Sequence, residues 1–332
     1  MEIKDIQLCG LGNGLVDIQL QVSNEEFLQL QVIKGEMRLV DSTKHNEILQ
    51  FLGNRQLNKC SGGSAANTII AFSQMGGSAA YKTTLGNDAN GRFYAGEFND
   101  LNIALQAKML DDEQTGICLI LITPDSERTM LTSLAATAKY SKEHIDKGLI
   151  ARSEWLYLEG YRFSNSEGTE AVDYAIDIAK RHNTHIALTF SDVFIVNAFR
   201  ENLKKTIDNA DLIFCNEQEA IAYTGASNSE EAFDILSEKV PNIVVTLGKN
   251  GSIIKWQGEL AKIPSYNVQA IDTTGAGDMF AAGFLYGIYR WNDAKIAGHF
   301  ASLASARIVS QLGARFAGSF NSLIEEINKK FR

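Results

Sequence analysis

Proline is scarce in this chain, three in 332 residues, and no Pro- or Ser-rich tract divides it. A flexible hinge between independent domains is therefore not expected, and the length suits one large α/β domain with an insertion, or two domains. Cysteine is scarce too. Cys9, Cys60, Cys118 and Cys215 lie apart, without Cys-x-x-Cys spacing, and read as free, buried thiols of a reducing cytoplasm. No basic run is present and the net charge is −9, so the chain is not built to neutralise a nucleic-acid backbone. A small nucleotide is still admissible, since its site needs only local positive potential. No uncharged apolar run reaches membrane-spanning length, and Met1-Glu2-Ile3-Lys4-Asp5 lacks a signal-peptide pattern; a cytoplasmic protein with no membrane partner is expected. The histidines form no ligand pattern, and no Ser/His/Asp constellation or internal repeat stands out.

What is present is ordinary globular material, 45% hydrophobic and 21% charged. From residue 155 onward, apolar strands at 155–158, 186–190, 212–215 and 243–247 alternate with amphipathic helices at 169–182, 198–209, 217–224 and 230–239. Such alternation predicts an α/β fold: a mainly parallel central sheet covered by helices on both faces. Two patches differ. Pieces such as Ile18-Gln19-Leu20-Gln21-Val22, Arg38-Leu39-Val40 and Gly116-Ile117-Cys118-Leu119-Ile120 read as half-exposed strands. They are expected to pair as a small β-sheet outside the main fold, serving as a lid that excludes water. The expected division is a core of 1–12, 62–105 and 135–332, with 13–61 and 106–134 forming the lid.

The chain is organised around Asp272-Thr273-Thr274-Gly275-Ala276-Gly277-Asp278-Met279-Phe280. After it, Phe280, Phe284 and Ile288 recur every fourth residue, with Gly283 and Gly287 between them, which predicts a buried helix face. Gly275, Ala276 and Gly277 then sit where a loop becomes a helix, with unpaired N–H groups and the positive end of the dipole. Glycines there let an anion approach, and Asp278 adds a carboxylate in the first turn. Transfer of a phosphoryl group to a hydroxyl needs such a pair. The plainer alternative is a capped helix with a first-turn acid.

Other segments carry similar double readings. Gly10-Leu11-Gly12-Asn13-Gly14 follows a strand but has Leu15 where a dinucleotide fingerprint needs its third glycine. It is a plain turn, or it presents Asn13 and Asp17 to a hydroxylated ligand at a strand end. Gly62-Gly63 opens a helix through Asn67 and is either a hinge or a close-approach site. Asn216-Glu217-Gln218-Glu219 follows a strand; Glu219 either caps a helix or orients water around Mg²⁺. Thr246-Leu247-Gly248-Lys249-Asn250-Gly251 lacks Walker A spacing. Arg128 is a solvated surface charge or, from the lid, neutralises a transferring phosphoryl group.

Together these segments resemble the ribokinase-like (PfkB) family of carbohydrate and nucleoside kinases. Gly62 to Asn67 is similar to its N-terminal signature and Asp272 to Asp278 to its C-terminal one, with Gly86-Asn87-Asp88-Ala89-Asn90-Gly91, Asn216–Glu219 and Thr246–Gly248 in family order. Cys60-Ser61-Gly62-Gly63-Ser64, Thr115-Gly116 and the run Arg128 to Ala136 look most like the adenosine kinase branch. The resemblance implies a ribokinase-like fold and an ATP- and Mg²⁺-dependent kinase acting on a primary hydroxyl. Asp278 would be the base, Gly275, Ala276 and Gly277 the phosphoryl cradle, and Arg128 a cation above it. Asn13, Asp17, Gly62, Gly63 and Asn67 would meet the acceptor, with Tyr161 or Phe163 on a purine. Asn216, Thr246, Gly248 and Gly251 would lie along ATP, with Glu219 reaching Mg²⁺ through water. A monovalent cation such as K⁺ is allowed near Asp272 and Thr274. Ala65-Ala66 is more usual in sugar kinases, so an adenosine-like nucleoside and a ribose- or fructose-type sugar both stay open. So do a monomer and a homodimer. A dinucleotide-dependent oxidoreductase and a non-catalytic binding protein are the readings from other classes.

Overall fold

A computed structural model describes residues 3–35, 37–53, 55, 58–125 and 127–331. Among the described residues nine strands form one sheet, in the spatial order Glu259–Ile263, Ser252–Trp256, Asn242–Thr246, Leu212–Asn216, His185–Thr189, Ser153–Glu159, Ile6–Leu11, Ala79–Gly86, Ala104–Leu110. The pairings from Asn242–Thr246 to Ala104–Leu110 are parallel. Every residue of Ala79–Gly86 is buried, as a strand covered on both faces requires. The helix Ser166–Arg181 buries Ala171, Val172, Ala175, Ile176 and Ala179 on one stripe. Asn165 caps it by accepting from the Gly168 N–H at 2.6 Å.

The second sheet has five strands, Met37–Leu39, Arg128–Ser133, Gly116–Ile122, Leu15–Gln21 and Asn58–Gly62. The two patches read from the sequence do pair, through Leu15–Gln21 running parallel to Gly116–Ile122. One boundary moves. Ala104–Leu110 lies at the edge of the large sheet, so 106–110 belong there and not with the smaller one. Two further expectations change. The helix expected at 198–209 is broken into Val193–Ala198 and Arg200–Ile207, because Asp192 caps an earlier start and Phe199 leaves helical geometry at φ −126°, ψ 35°. The antiparallel hairpin Ser252–Trp256/Glu259–Ile263 is an addition to the expected pattern; Gln257 and Gly258, both at positive φ, make its two-residue turn.

The helix Ala276–Trp291 packs along Ala294–Val309, and its glycines explain how closely. A methyl group at Gly283 would come within 2.9 Å of the Ala301 Cα, and one at Gly287 within 2.6 Å of the Ala297 Cα. Phe280 and Phe284 are buried beside them. This packing positions the start of the helix, at the glycine-rich turn 272–278. Gly287→Val should lower the urea midpoint with the m-value unchanged, at a cost of about 1–3 kcal/mol; an unchanged midpoint would mean the helices are not in this contact.

Candidate active site

The helices Ser64–Gln74 and Ala276–Trp291 begin against each other. Ser64 Oγ donates to Asp278 Oδ1 at 2.7 Å and Asn67 Nδ2 to Asp278 Oδ2 at 3.0 Å. Burial raises the Asp278 carboxyl to about 6, against the lowering pull of those two bonds and of Arg315. In the preceding turn, Gly275 takes the left-handed conformation at φ 74° and abuts Ala314, while Gly277 opens on empty space. The Ala276 N–H, expected in the anion cradle, donates instead to the Thr273 carbonyl at 3.2 Å. No protein partner is present for the N–H groups of Gly275, Gly277 and Asp278 among the described residues.

Arg128, on the small sheet, reaches this turn. It donates to Thr274 Oγ1 and forms an ion pair with Asp272. The fully buried Asp272 carboxylate also accepts from the Thr274 and Gly313 N–H groups. These residues do not fit a monovalent cation as they stand, because a guanidinium already balances the Asp272 charge.

A cavity of about 330 Å³ opens between the sheets, with Asn13, Asp17, Gly63, Asn67, Tyr161, Asn216, Glu219, Thr246 and the turn 273–278 in its wall. Asn13 is fixed from behind. Its Oδ1 accepts from Arg162 at 2.7 Å and Thr137 at 3.2 Å, and its N–H donates to Glu159 at 2.8 Å. Glu159 also accepts from the Ala65 N–H at 2.7 Å, and burial pushes its carboxyl up to about 7. Asp17 is only 6% exposed, yet among the described residues it accepts no hydrogen bond. Burial raises it to about 7, Arg315 lowers it, and the neighbouring Asp278 raises it further. Gly62 makes room for that carboxylate, since a Cβ there would lie 2.1 Å from Oδ1. Gly63, at φ 104°, brings its backbone against the Asn13 carbonyl.

Glu219 is held in a capping box by Asn216, with both of its oxygens bonded at 2.9 Å, and burial raises it to about 7. Among the described residues no cluster of three acidic, histidine or cysteine groups suits a caged metal. A single wall carboxylate fits a hydrated Mg²⁺ that arrives with phosphates. Gly248 (φ 56°) and Gly251 (φ 91°) shape the turn after Asn242–Thr246 but stand outside the cavity wall. Phe163 is 2% exposed in the core among Leu158, Ile195 and Phe190, whereas Tyr161 lines the cavity. Of the two aromatics expected near the acceptor, Phe163 is thus excluded from the cavity and Tyr161 borders it.

The sequence reading missed Ser64, Glu159, Arg162, Phe194 and Arg315. Ser64 lies within the Gly62-to-Asn67 signature, but the others carry no local signal.

A family model described as pfkB family carbohydrate kinase matches residues 44–319. The chain belongs to that family. An adenosine kinase of Saccharomyces cerevisiae is 24% identical over 93% of this chain and 96% of its own. Among solved structures, a probable sugar kinase of Rhizobium etli superposes with TM-score 0.91 at 27% identity, covering 98% of this chain and 99% of that one. An adenosine kinase of Sinorhizobium meliloti superposes with TM-score 0.89 at 28% identity, covering 97% and 99%. This pfkB kinase is a phosphotransferase acting on a hydroxyl of a nucleoside or sugar, and the family implies ATP and Mg²⁺. No described helix is long and apolar enough to cross a membrane.

The unpartnered Asp17 has a consequence for stability. A carboxyl that titrates at about 7 when folded and at its ordinary 3.8 when unfolded favours the unfolded chain increasingly as pH rises between those values. Asp17→Asn should therefore raise Tm above about pH 7 and leave it unchanged below about pH 4. A Tm difference independent of pH would mean Asp17 is not buried as a lone charge.

Proposed function

We propose that this pfkB kinase transfers the γ-phosphoryl group of ATP to the primary hydroxyl of a purine-type, adenosine-like nucleoside. The observation that carries the acceptor is the two-sided cavity. Its floor is polar (Asn13, Asp17, Asn67 and Asp278), and its small-sheet wall is apolar, with Met37, Leu39, Ile120 and Met130. Tyr161 and Phe194 stand in the wall as well. A sugar ring fills the polar part alone, whereas a nucleoside also offers an aromatic base to the apolar part. Ala65 and Ala66, the pair that resembles sugar kinases, are both fully buried in the core and outside the cavity wall. They do not read the acceptor.

In this reading Asn13 and Asp17 hold the ribose hydroxyls, which supply the donors that the Asp17 carboxylate lacks. Gly62 and Gly63 let the sugar approach the backbone. Asp278, oriented by Ser64 and Asn67, accepts the proton of the attacking hydroxyl. Because the transition state is loose, orientation contributes more than base strength. The unpaired N–H groups at Gly275 and Gly277 hold phosphoryl oxygens, and Arg128 stands over them from a small sheet that acts as the lid. Asn216 and Thr246, with the turn kept by Gly248 and Gly251, lie along the nucleotide. Mg²⁺ bound with ATP would spread the β,γ-phosphate charge, with Glu219 and Asn216 the side chains placed to hold its water.

Asp278→Asn should lose at least ~100-fold in kcat with little change in acceptor KM. In the wild-type enzyme kcat/KM should fall as pH drops through about 6, where Asp278 protonates. Near-normal turnover in the variant would remove the base. A coupled ADP-release screen over adenosine, inosine, guanosine, ribose and fructose tests the acceptor. Purine nucleosides are expected to lead the sugars by at least ~100-fold in kcat/KM; a leading sugar would overturn the nucleoside reading and leave the base assignment intact.

A further inference from the structure

Three consecutive residues near the C-terminus converge on the base: two meet the turn 272–278 itself, and the third meets Asn67, which bonds Asp278. The Gly313 N–H donates to the Asp272 carboxylate. Ala314 fills the space beside Gly275, where an added Cβ would lie 2.8 Å from the Ala314 Cβ. Arg315 Nη1 donates to Asn67 Oδ1 at 2.7 Å, and its Nη2 donates to the Ser61 carbonyl. Asn67 passes the contact on, since its Nδ2 donates to Asp278 Oδ2 at 3.0 Å. The amide of Asn67 is thus oriented from both ends. With a guanidinium on its oxygen it must present its nitrogen to the carboxylate; flipped, it would set oxygen against oxygen.

We infer that Arg315 is a positioning residue for the reaction, locking Asn67 so that Asp278 is aimed and held as a carboxylate. The inference rests on Asp278 being the base. Two observations distinguish this from a structural tether. Arg315 is half-buried beside two carboxyls, Asp17 and Asp278, and favours the charged form of each. It also joins the C-terminal segment to Ser61, next to Gly62 and Gly63 where the small sheet meets the core. One side chain thereby fixes the base and the backbone against which the acceptor rests. An anionic phosphoryl donor beside several acids needs such a fixed cation.

The charged and titratable groups that act on Asp278 or feel it come from each packed element. They are Asp17 on the small sheet, Tyr157 and Glu159 on the strand Ser153–Glu159, Tyr161 in the turn after it, Glu219 on the helix Glu217–Thr224, and Arg315. All but Arg315 are acidic or neutral. Its removal therefore shifts the balance in one direction, toward the protonated base.

The test compares Arg315→Gln, Arg315→Lys, Arg315→Ala and Asp278→Asn with wild type, using whichever acceptor wild type phosphorylates fastest, so that acceptor identity does not enter. Arg315→Gln should lose ~30-fold or more in kcat with ATP KM within ~3-fold of wild type. The acid limb of its kcat/KM should move to higher pH by about one unit. Arg315→Lys should recover part of kcat, and methylguanidine added at tens of millimolar should raise the activity of Arg315→Ala but not of Asp278→Asn. Wild-type kcat and an unmoved limb in Arg315→Gln, with Asp278→Asn inactive, overturn this inference alone. So does a loss of kcat that follows a fall in Tm, with no rescue and no shift of the limb. A near-normal Asp278→Asn removes the base, and the inference with it.

Discussion

Two helices start at one point, and the polar groups at their first turns satisfy one another. Ser64 and Asn67 are donors, Asp278 is the acceptor, and Thr68 Oγ1 adds a bond to the Asp278 carbonyl at 3.3 Å. The meeting is imposed from behind. Glycines on Ala276–Trp291 let that helix lie close to Ala294–Val309, and Glu159 holds the Ala65 N–H at the start of the other. Neither helix end could shift by an ångström without breaking a bond to the carboxylate. A turn that must leave its amides free for an anion has to be held by contacts other than its own hydrogen bonds. Packing supplies that hold.

The electrostatics follow the same division of labour. Asp17, Glu159, Glu219 and Asp278 surround one cavity, and all four are raised mainly by burial. Left alone they would repel a nucleotide. Three arginines reach inward: Arg162 under Asn13 offsets Glu159, Arg315 on Asn67 offsets Asp17 and Asp278, and Arg128 pairs with Asp272. Each arrives from a different part of the chain. Arg162 is 1% exposed and spends its donors on Asn13 and on the Thr137 and Tyr140 carbonyls. It acts as scaffold, whereas Arg128 and Arg315 border the turn.

Periodicity made the central sheet readable, because strands buried on both faces and amphipathic helices each leave a local imprint. The glycine-rich turn with Asp278 was readable for the same reason: it lies within nine residues of sequence. What escaped was non-local. Arg315 meets Asn67 across 248 positions and Glu159 meets Ala65 across 94, and no window of sequence reports such a pair. Tyr161 and Phe163 could not be told apart in sequence, for a geometric reason. They lie in the 3₁₀ turn Gly160–Ser164, where residues two apart point in directions roughly 120° from each other. Only one could face the cavity. The strand Ala104–Leu110 was missed because its half-exposed pattern resembles an edge, which is what it is.

The chain passes between the two sheets at four places: residues 12–14, residue 63, residues 111–115 and residue 134. Asn13 and Gly63 are themselves two of these crossings, and Asp88 secures a third by accepting from the Thr115 N–H and hydroxyl. Any rocking of the smaller sheet must turn about this short line of joints. On the proposed reading, Asn13 and Gly63, which would meet the incoming alcohol, therefore sit on the pivot, where displacement is least. The apolar wall and Arg128 ride at the far end of the lever, where it is greatest. If the smaller sheet acts as the proposed lid, recognition and closure are mechanically separable in this architecture, and an acceptor could be seated while the roof above it swings.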